Sequence, residues 1–569
     1  MFGGNFPPSN YPPFHGGGGG AYPPQFGGGY NSGPPPPPMH SAYNVNQYGG
    51  GGYGGGYNQG GFGNPAGAVP GFTVPAVQMC HSMLQGMGFQ QPPQVQMGMP
   101  VTSQVQNMDK HLFQQQMMMQ QQMMQTLQQQ IKTGQPMAQA QGQRGQQGQQ
   151  EEQRASTPQP DISEEDMKAK VREQMQRVFI DELCRREAVS GTFEMTEGSI
   201  KPLYKYDAED PVAVWYNENR GDDISGKKWN CEADCEYMRD AMKGLGTNDD
   251  AIVHVVSTRC NAQRQEMKTM FKTLYGRDMI EDIKGELSGD YKELVMALFV
   301  SPSEYDAWCI KEAIYGPGTD EEALIEIFLT RTNAQIKEIR NAYPSVLNSH
   351  YHGKTPKIEK DIQDDTSGDF KRLLISAAQG NRYAIPRDRL EEAVEEIMNP
   401  ETKEGTGMFQ VNYKKLADCK KAAREAKQLF EAGEDKWGTD EETFIRIFAT
   451  RDYYQMRETW NEYVKLTQRD ILNSVDRETS GDFKAGLRAI VMNIRCRPMY
   501  FAEKLKKSMK GLGTDERTLI RIIVSRSEID MVQIKQCFLE LTKKTLWKWL
   551  EEDTSFNFRK LLQKIVGKN

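Results

Sequence analysis

The chain has 569 residues, a formal net charge of −7 and 37% apolar residues, averages that conceal two different polymers. Residues 1–150 hold four charged side chains, Asp109, Lys110, Lys132 and Arg144, so charge is concentrated after position 150, where it reaches about a third of residues. No run of 18 apolar residues occurs, which excludes a membrane-spanning helix, and the start MFGGNFPPSN has neither the basic region nor the apolar core of a secretory signal.

Residues 1–63 contain 21 Gly, 11 Pro and 12 Phe or Tyr, too few aliphatics to offset the entropy of ordering. Residues 85–150 are rich in Gln and Met, including HLFQQQMMMQQQMMQTLQQQ at 111–130, good helix formers without a charged face or caps. Together they predict a disordered low-complexity tail over 1–160. From Asp161 the pattern becomes helical, and DISEEDMKAKVREQMQRVFIDELCRREA predicts a helix near 162–187. The rest of a connecting region, 161–230, is turn-rich and has no assigned element. Nine cysteines scattered from Cys80 to Cys537 read as reduced cytosolic thiols, with Cys231 and Cys235 as small residues on one helix face.

After Cys231 the chain repeats itself. GTNDDAIVHVVSTR, GTDEEALIEIFLTR, GTDEETFIRIFATR and GTDERTLIRIIVSR each place an arginine (Arg259, Arg331, Arg451, Arg526) 12 residues after a threonine. Apolar residues at helical spacing, and Glu three positions after Thr319 and Thr439, predict a helix starting at each Gly-Thr with a capping box. A second element follows: ELSGDYKELV, DTSGDFKRLL, ETSGDFKAGL and DTSFNFRKLL. Its first acid lies 39 residues after the threonine for Glu286, Glu478 and Asp553, and 46 for Asp365, the difference falling in the turn-rich SHYHGKTPK at 349–357. Units one and two start 72 residues apart, three and four 75, but two and three 120, which predicts an extended linker over 384–416. No strand-like alternation competes. The expected core is all-α, with units at 231–300, 301–383, 417–494 and 495–569 that are too small to stand alone and so pack on one another.

A glycine-rich turn precedes each threonine: MKGLGT from Met242, IYGPGT from Ile314, GEDKWGT from Gly433 and MKGLGT from Met509. Such turns accept positive φ and can gather backbone carbonyls around a hard cation. Calcium takes six to eight oxygens, including carbonyls and a bidentate carboxylate, and the downstream acid can supply the carboxylate. A capped helix connection explains one such loop; four loops paired with four acids favour a metal role. The GxxxxGK spacing of a phosphate loop and the DxDxDG of an EF-hand are both absent.

These loops and acids resemble the annexin repeat and its calcium sites, over about 231–569. The resemblance implies four repeats of five helices each in a curved disc, with calcium-dependent binding of anionic phospholipid at one face. It assigns Ca2+ ligands to Met242, Gly244, Gly246 and Glu286; to Ile314, Gly316, Gly318 and Asp365; to Gly433, Lys436, Gly438 and Glu478; and to Met509, Gly511, Gly513 and Asp553. Repeat two departs from the pattern at Tyr315 and Pro317, and its insertion gives Asp365 room to be displaced; repeat four has TSFN in place of TSGD. Asp249, Glu321, Glu441 and Glu516 read as helix N-terminal charge with an accessory-ion role as the alternative. Leu245, Trp437 and Leu512, at the loop tips, are the expected membrane contacts.

Residues 151–569 carry net −9, because the first 150 contribute +2, so the ion-free chain gains no general attraction to an anionic leaflet, and up to four divalent ions would add +8 at one face. The tail resembles those of long-tailed annexins in composition, which implies adaptor binding or self-association. With little net charge and few Arg, it offers no nucleic-acid footprint. No catalytic constellation is present, so an enzyme is not expected, and a calcium-independent helical scaffold is the alternative function. Cytoplasmic residence with peripheral membrane association is the expected localisation.

Overall fold

The computed structural model describes residues 164–244, 246–347, 356–433, 438–511 and 513–568. The tail expected over 1–160 and most of the 349–357 insertion lie outside the described residues. The first helix, α1, runs over Glu164–Ser190, three residues beyond its expected end. Helix α2 (Pro211–Arg220) lies in the stretch left without assignment; the Asp210 side chain caps it by accepting from the Val212 amide, and proline stands in its first turn, where no N–H partner is lost.

Repeat one comprises α3 (Cys231–Ala241), α4 (Asp249–Thr258), α5 (Asn261–Tyr275), α6 (Met279–Glu286) and α7 (Gly289–Leu298). Repeat two comprises α8 (Pro302–Ile314), α9 (Glu321–Thr330), α10 (Asn333–Leu347), α11 (Ile358–Asp365) and α12 (Gly368–Ala378). After the inter-repeat segment, which contributes α13 (Arg387–Ala393), come α14 (Cys419–Ala432), α15 (Glu441–Thr450), α16 (Tyr453–Thr467) and α17 (Ile471–Glu478). The long α18 (Gly481–Ser508) is two helices joined at a kink, where Cys496 leaves helical geometry at φ −156° and ψ 90°. Pro498, lacking an N–H to continue the ladder, begins the second half nearby. So α18 ends repeat three and opens repeat four, which continues through α19 (Glu516–Arg526), α20 (Met531–Thr542), α21 (Leu546–Asp553) and α22 (Phe556–Val566). Each repeat therefore has five helices.

The expected extended linker is folded. Besides α13 it forms β1 (Val394–Met398) and β2 (Gly405–Val411), antiparallel with Val394 opposite Val411, and then a 3-10 turn over Tyr413–Leu416. Its Leu390, Ala393, Val394, Phe409 and Leu416 bury against Val171, Met175, Phe179, Ile180 and Leu183 of α1. This hairpin is the exception to the helical pattern; its short strands gain their burial from α1, more than 200 positions away in sequence, which no local periodicity reveals. The stretch after α1 then ties distant repeats together. The Ile200 amide donates to the Ser527 carbonyl at 3.0 Å in repeat four, and the Tyr206 hydroxyl donates to Asp234 at 3.0 Å in repeat one.

The recurring arginines are ion-pair centres, buried at Arg259, Arg331 and Arg526 and partly buried at Arg451. Arg259 reaches Asp234 at 2.7 and 2.9 Å, Arg331 reaches Asp306 at 2.7 and 2.8 Å, and Arg451 reaches Glu425 at 2.5 Å, each acid lying on the first helix of its own repeat. Repeat four has Phe501 at the corresponding place, so Arg526 pairs instead with Asp530 at 2.8 and 2.6 Å and stacks 4.6 Å from the Phe501 ring. Repeat one packs on repeat four through α4 with α22 and α7 with α19, and repeat two on repeat three through α12 with α15. Between repeats two and four, Arg521 meets the fully buried Glu326 with two bonds of 3.0 Å. Nearby, Glu322 accepts from Lys504 at 2.6 Å and from Lys507.

Removing one member of a buried pair strands the other charge, so Glu326→Ala is expected to destabilise the protein by about 3–5 kcal/mol, read as a fall in the urea midpoint. Burial pushes the Glu322 carboxyl up, but Lys504 and Lys507 outweigh it and hold it down at about 2. The folded chain thus keeps this group ionised while the unfolded chain takes up a proton, so its contribution is lost as pH falls from about 4 to about 2. Glu322→Gln should therefore lower the melting temperature at pH 7, with the gap to the parent closing over that acid range.

Candidate metal-binding loops

In every repeat, helix formation starts one residue later than the Gly-Thr expectation. The N-caps are Asn248, Asp320, Asp440 and Asp515, whose side chains accept from the amides of Ala251, Ala323, Thr443 and Thr518. The expected capping boxes at Thr319 and Thr439 do not form, since Glu322 turns to the lysines of α18 and Glu442 lies 3.3 Å from Arg372. An Asp or Asn one residue on caps better than threonine, which frees the threonine hydroxyl for a different bond.

That bond crosses the repeat. Thr247 donates to the Glu286 carboxylate at 2.5 Å, Thr319 to Asp365 at 2.7 Å, and Thr514 to Asp553 at 2.9 Å. In repeat three Thr439 donates to the backbone carbonyl of Glu478 at 2.8 Å. Each predicted acid therefore meets its predicted loop, and the insertion in repeat two does not displace Asp365. These four acids are also the last residues of α6, α11, α17 and α21. A carboxylate there faces the negative end of the helix dipole, an arrangement disfavoured by roughly 0.3–1 kcal/mol unless positive charge is supplied.

The loops share a closing bond, from the cap amide back to the preceding helix: Asn248 to Ala241 at 2.8 Å, Asp320 to Ala313 at 2.9 Å, Asp440 to Ala432 at 2.8 Å and Asp515 to Ser508 at 2.8 Å. The glycines before the threonines, Gly246, Gly318, Gly438 and Gly513, take nearly the same φ of 90°, 92°, 86° and 92°. Gly244, Gly316 and Gly511 also have positive φ. Gly433 does not, and a Cβ there would lie 3.1 Å from Glu478 Cγ, so a larger residue would have to push that side chain aside. Met242, Ile314 and Met509 bury their side chains, leaving backbone carbonyls as their available ligands. Leu245, Lys436, Trp437 and Leu512 lie outside the described residues. Among the described residues no group of three or more His, Cys, Asp or Glu side chains is placed to hold a metal; calcium also accepts a single carboxylate together with backbone oxygens. Asp249, Glu321, Glu441 and Glu516 each open a helix, as N-terminal charge does, and Glu441 also lines a cleft with Glu478, Asp369 and Asp482.

The annexin sequence profile matches residues 233–298, 305–377, 424–490 and 500–565. Annexin A5 of Gallus gallus is 39% identical over 348 residues, 61% of this chain and 97% of that protein. The chain belongs to the annexin family. Annexin A7 of Homo sapiens is 41% identical to this annexin over 374 residues, 66% of this chain and 64% of that protein, so the match stops short of two thirds of that relative. A solved calcium-bound annexin (Sm)1 aligns with a TM-score of 0.55 at 28% identity, over 67% of this annexin and 96% of that chain.

Repeat four of this annexin departs from the other three where its last helix begins. Where Gly289, Gly368 and Gly481 open the last helix of their repeats at φ 59°, 61° and 58°, Phe556 does so at φ 49°. Left-handed backbone costs a residue with a Cβ roughly 1–2 kcal/mol. The next residue, Asn557, donates to Asp249 of repeat one at 2.7 Å. No described helix is long and apolar enough to cross a membrane.

Thr514→Val removes the donor that holds Asp553 at its helix end, and the expected loss is about 1 kcal/mol, measured by chemical denaturation in chelator. An unchanged midpoint would show that the cross-repeat bond contributes nothing to folding.

Proposed function

We propose that this annexin binds anionic phospholipid surfaces through calcium ions held in its four interhelical loops. In repeat one the ion would take the carbonyls of Met242, Gly244 and Gly246 with the Glu286 carboxylate. Repeat two would use Ile314, Gly316, Gly318 and Asp365; repeat three Gly433, Lys436, Gly438 and Glu478; and repeat four Met509, Gly511, Gly513 and Asp553. The observation that carries the reading is the placement of four acids at helix C-termini, each tied by a threonine to a glycine-rich loop. The bound ion supplies positive charge and oxygen-binding capacity to lipid phosphate, since calcium takes more oxygens than one loop provides.

The protein's own part is to hold the loops open and to withhold attraction without calcium. Residues 151–569 carry net −9, so the ion-free core gains nothing from an anionic leaflet, and four divalent ions nearly cancel that charge at the loops. Leu245, Trp437 and Leu512 are proposed to touch the headgroups. The family assignment supports this reading, as annexins generally bind phospholipid in a calcium-dependent way. The protein is proposed to be non-enzymatic and cytoplasmic, moving to membranes peripherally when calcium rises. Its tail is proposed to serve regulation, through an adaptor protein or self-association and without nucleic acid.

Co-sedimentation with phosphatidylserine vesicles across a calcium titration tests the reading. The variant carrying Glu286→Gln, Asp365→Asn, Glu478→Gln and Asp553→Asn should need on the order of tenfold more calcium, with its melting temperature as the control for folding. A parent protein that stays in the supernatant at millimolar calcium would leave the loops as helix connections and hand the function to the calcium-independent scaffold.

A further inference from the structure

We propose that Phe556 is an apolar anchor that enters the lipid surface between the loops of repeats one and four. The inference rests on the calcium and lipid reading above, and adds a contact on the loop after Asp553, where no expected membrane residue lies.

Phe556 is 90% exposed, more than any other large apolar side chain among the described residues, the next being Tyr204 at 77%. It also holds a left-handed backbone conformation that its three counterparts meet with glycine. A Cβ built on Gly289, Gly368 or Gly481 meets nothing within 4 Å, so this position opens to solvent in the other repeats too. The strain at Phe556 therefore has no packing among the described residues to offset it. A residue that is unfavourable for the fold on two counts, backbone and exposed apolar surface, calls for a benefit outside the fold.

Its neighbours locate that benefit. Three residues earlier, Asp553 is bonded to Thr514 of the repeat-four loop; one residue later, Asn557 is bonded to Asp249, beside the repeat-one loop. Phe556 is thus flanked by two candidate cation loops, both of which would be drawn toward anionic headgroups. An aromatic ring there suits the boundary between headgroups and acyl chains, and its burial would add to the ionic bridges.

The test uses the full chain, phosphatidylserine/phosphatidylcholine vesicles and a fixed calcium concentration, comparing the parent with Phe556→Gly and Phe556→Leu. Phe556→Gly should lose about tenfold in vesicle affinity while melting at a higher temperature than the parent, and Phe556→Leu should retain most of the affinity. A merely structural role predicts the opposite shift in melting. Parent and Phe556→Gly binding equally well would overturn the anchor while leaving calcium-dependent lipid binding intact; a parent that does not bind removes both. Unchanged vesicle affinity with weakened self-association in sedimentation would overturn it in favour of a second copy as the occupant. Equal loss in the glycine and leucine variants, with both folded, would remove apolar burial as the cause and also overturn it.

Discussion

The contact on which the rest depends is the bond from a loop threonine to the residue that ends the fourth helix of the same repeat, 39 positions away in three repeats and 46 in the other. It brings the turn between the first two helices against the turn between the last two. Without it, the glycine loops are only connections and the acids only badly placed charges. The Asp or Asn cap one residue later makes it possible, because a backbone amide already satisfied by the cap leaves the threonine hydroxyl free. Caps, loop closure and acid placement are thus one device repeated four times; in repeat three the threonine meets the carbonyl of its acid and the closing bond spans one residue more.

A second layer of charge holds the repeats in register. In repeats one to three the arginine that ends the second helix returns to an acid on the first helix, and Arg521 with Glu326 joins repeats two and four in the interior. Buried charges of this kind contribute modestly to net stability but penalise any packing that separates them. Repeat four shows the constraint by exception: with Phe501 where an acid would stand, Arg526 finds Asp530 on its own side of the chain and uses the ring as a cation-π partner. Together with the hairpin packed on α1, these contacts hold the helices that carry the loops against one another.

Much of this is legible in the sequence. The Gly-Thr recurrence, the constant arginine offset and the 39-residue spacing marked the helices, the repeats and the pairing of loop with acid, because helical periodicity and turn chemistry are local and were written four times. The sequence places the start of each second helix one residue early because Thr and the following Asp or Asn are both good caps, and the choice between them depends on a partner far along the chain. The 384–416 segment reads as a linker because its apolar residues, Leu390, Val394, Phe409 and Leu416, complete their burial against α1, more than 200 positions away.

By itself, then, the sequence determined the composition of the parts: helical repeats, glycine loops, the acids and the net negative charge they must overcome. Local spacing and residue chemistry suffice for that. Only the tertiary structure decided which groups meet: that Asp365 keeps its place despite seven extra residues, that Arg526 changes partner, that the inter-repeat segment folds, and that Phe556 stands strained and exposed between two loops. Those outcomes rest on contacts between residues tens to hundreds of positions apart, whose energies no periodicity along the chain records.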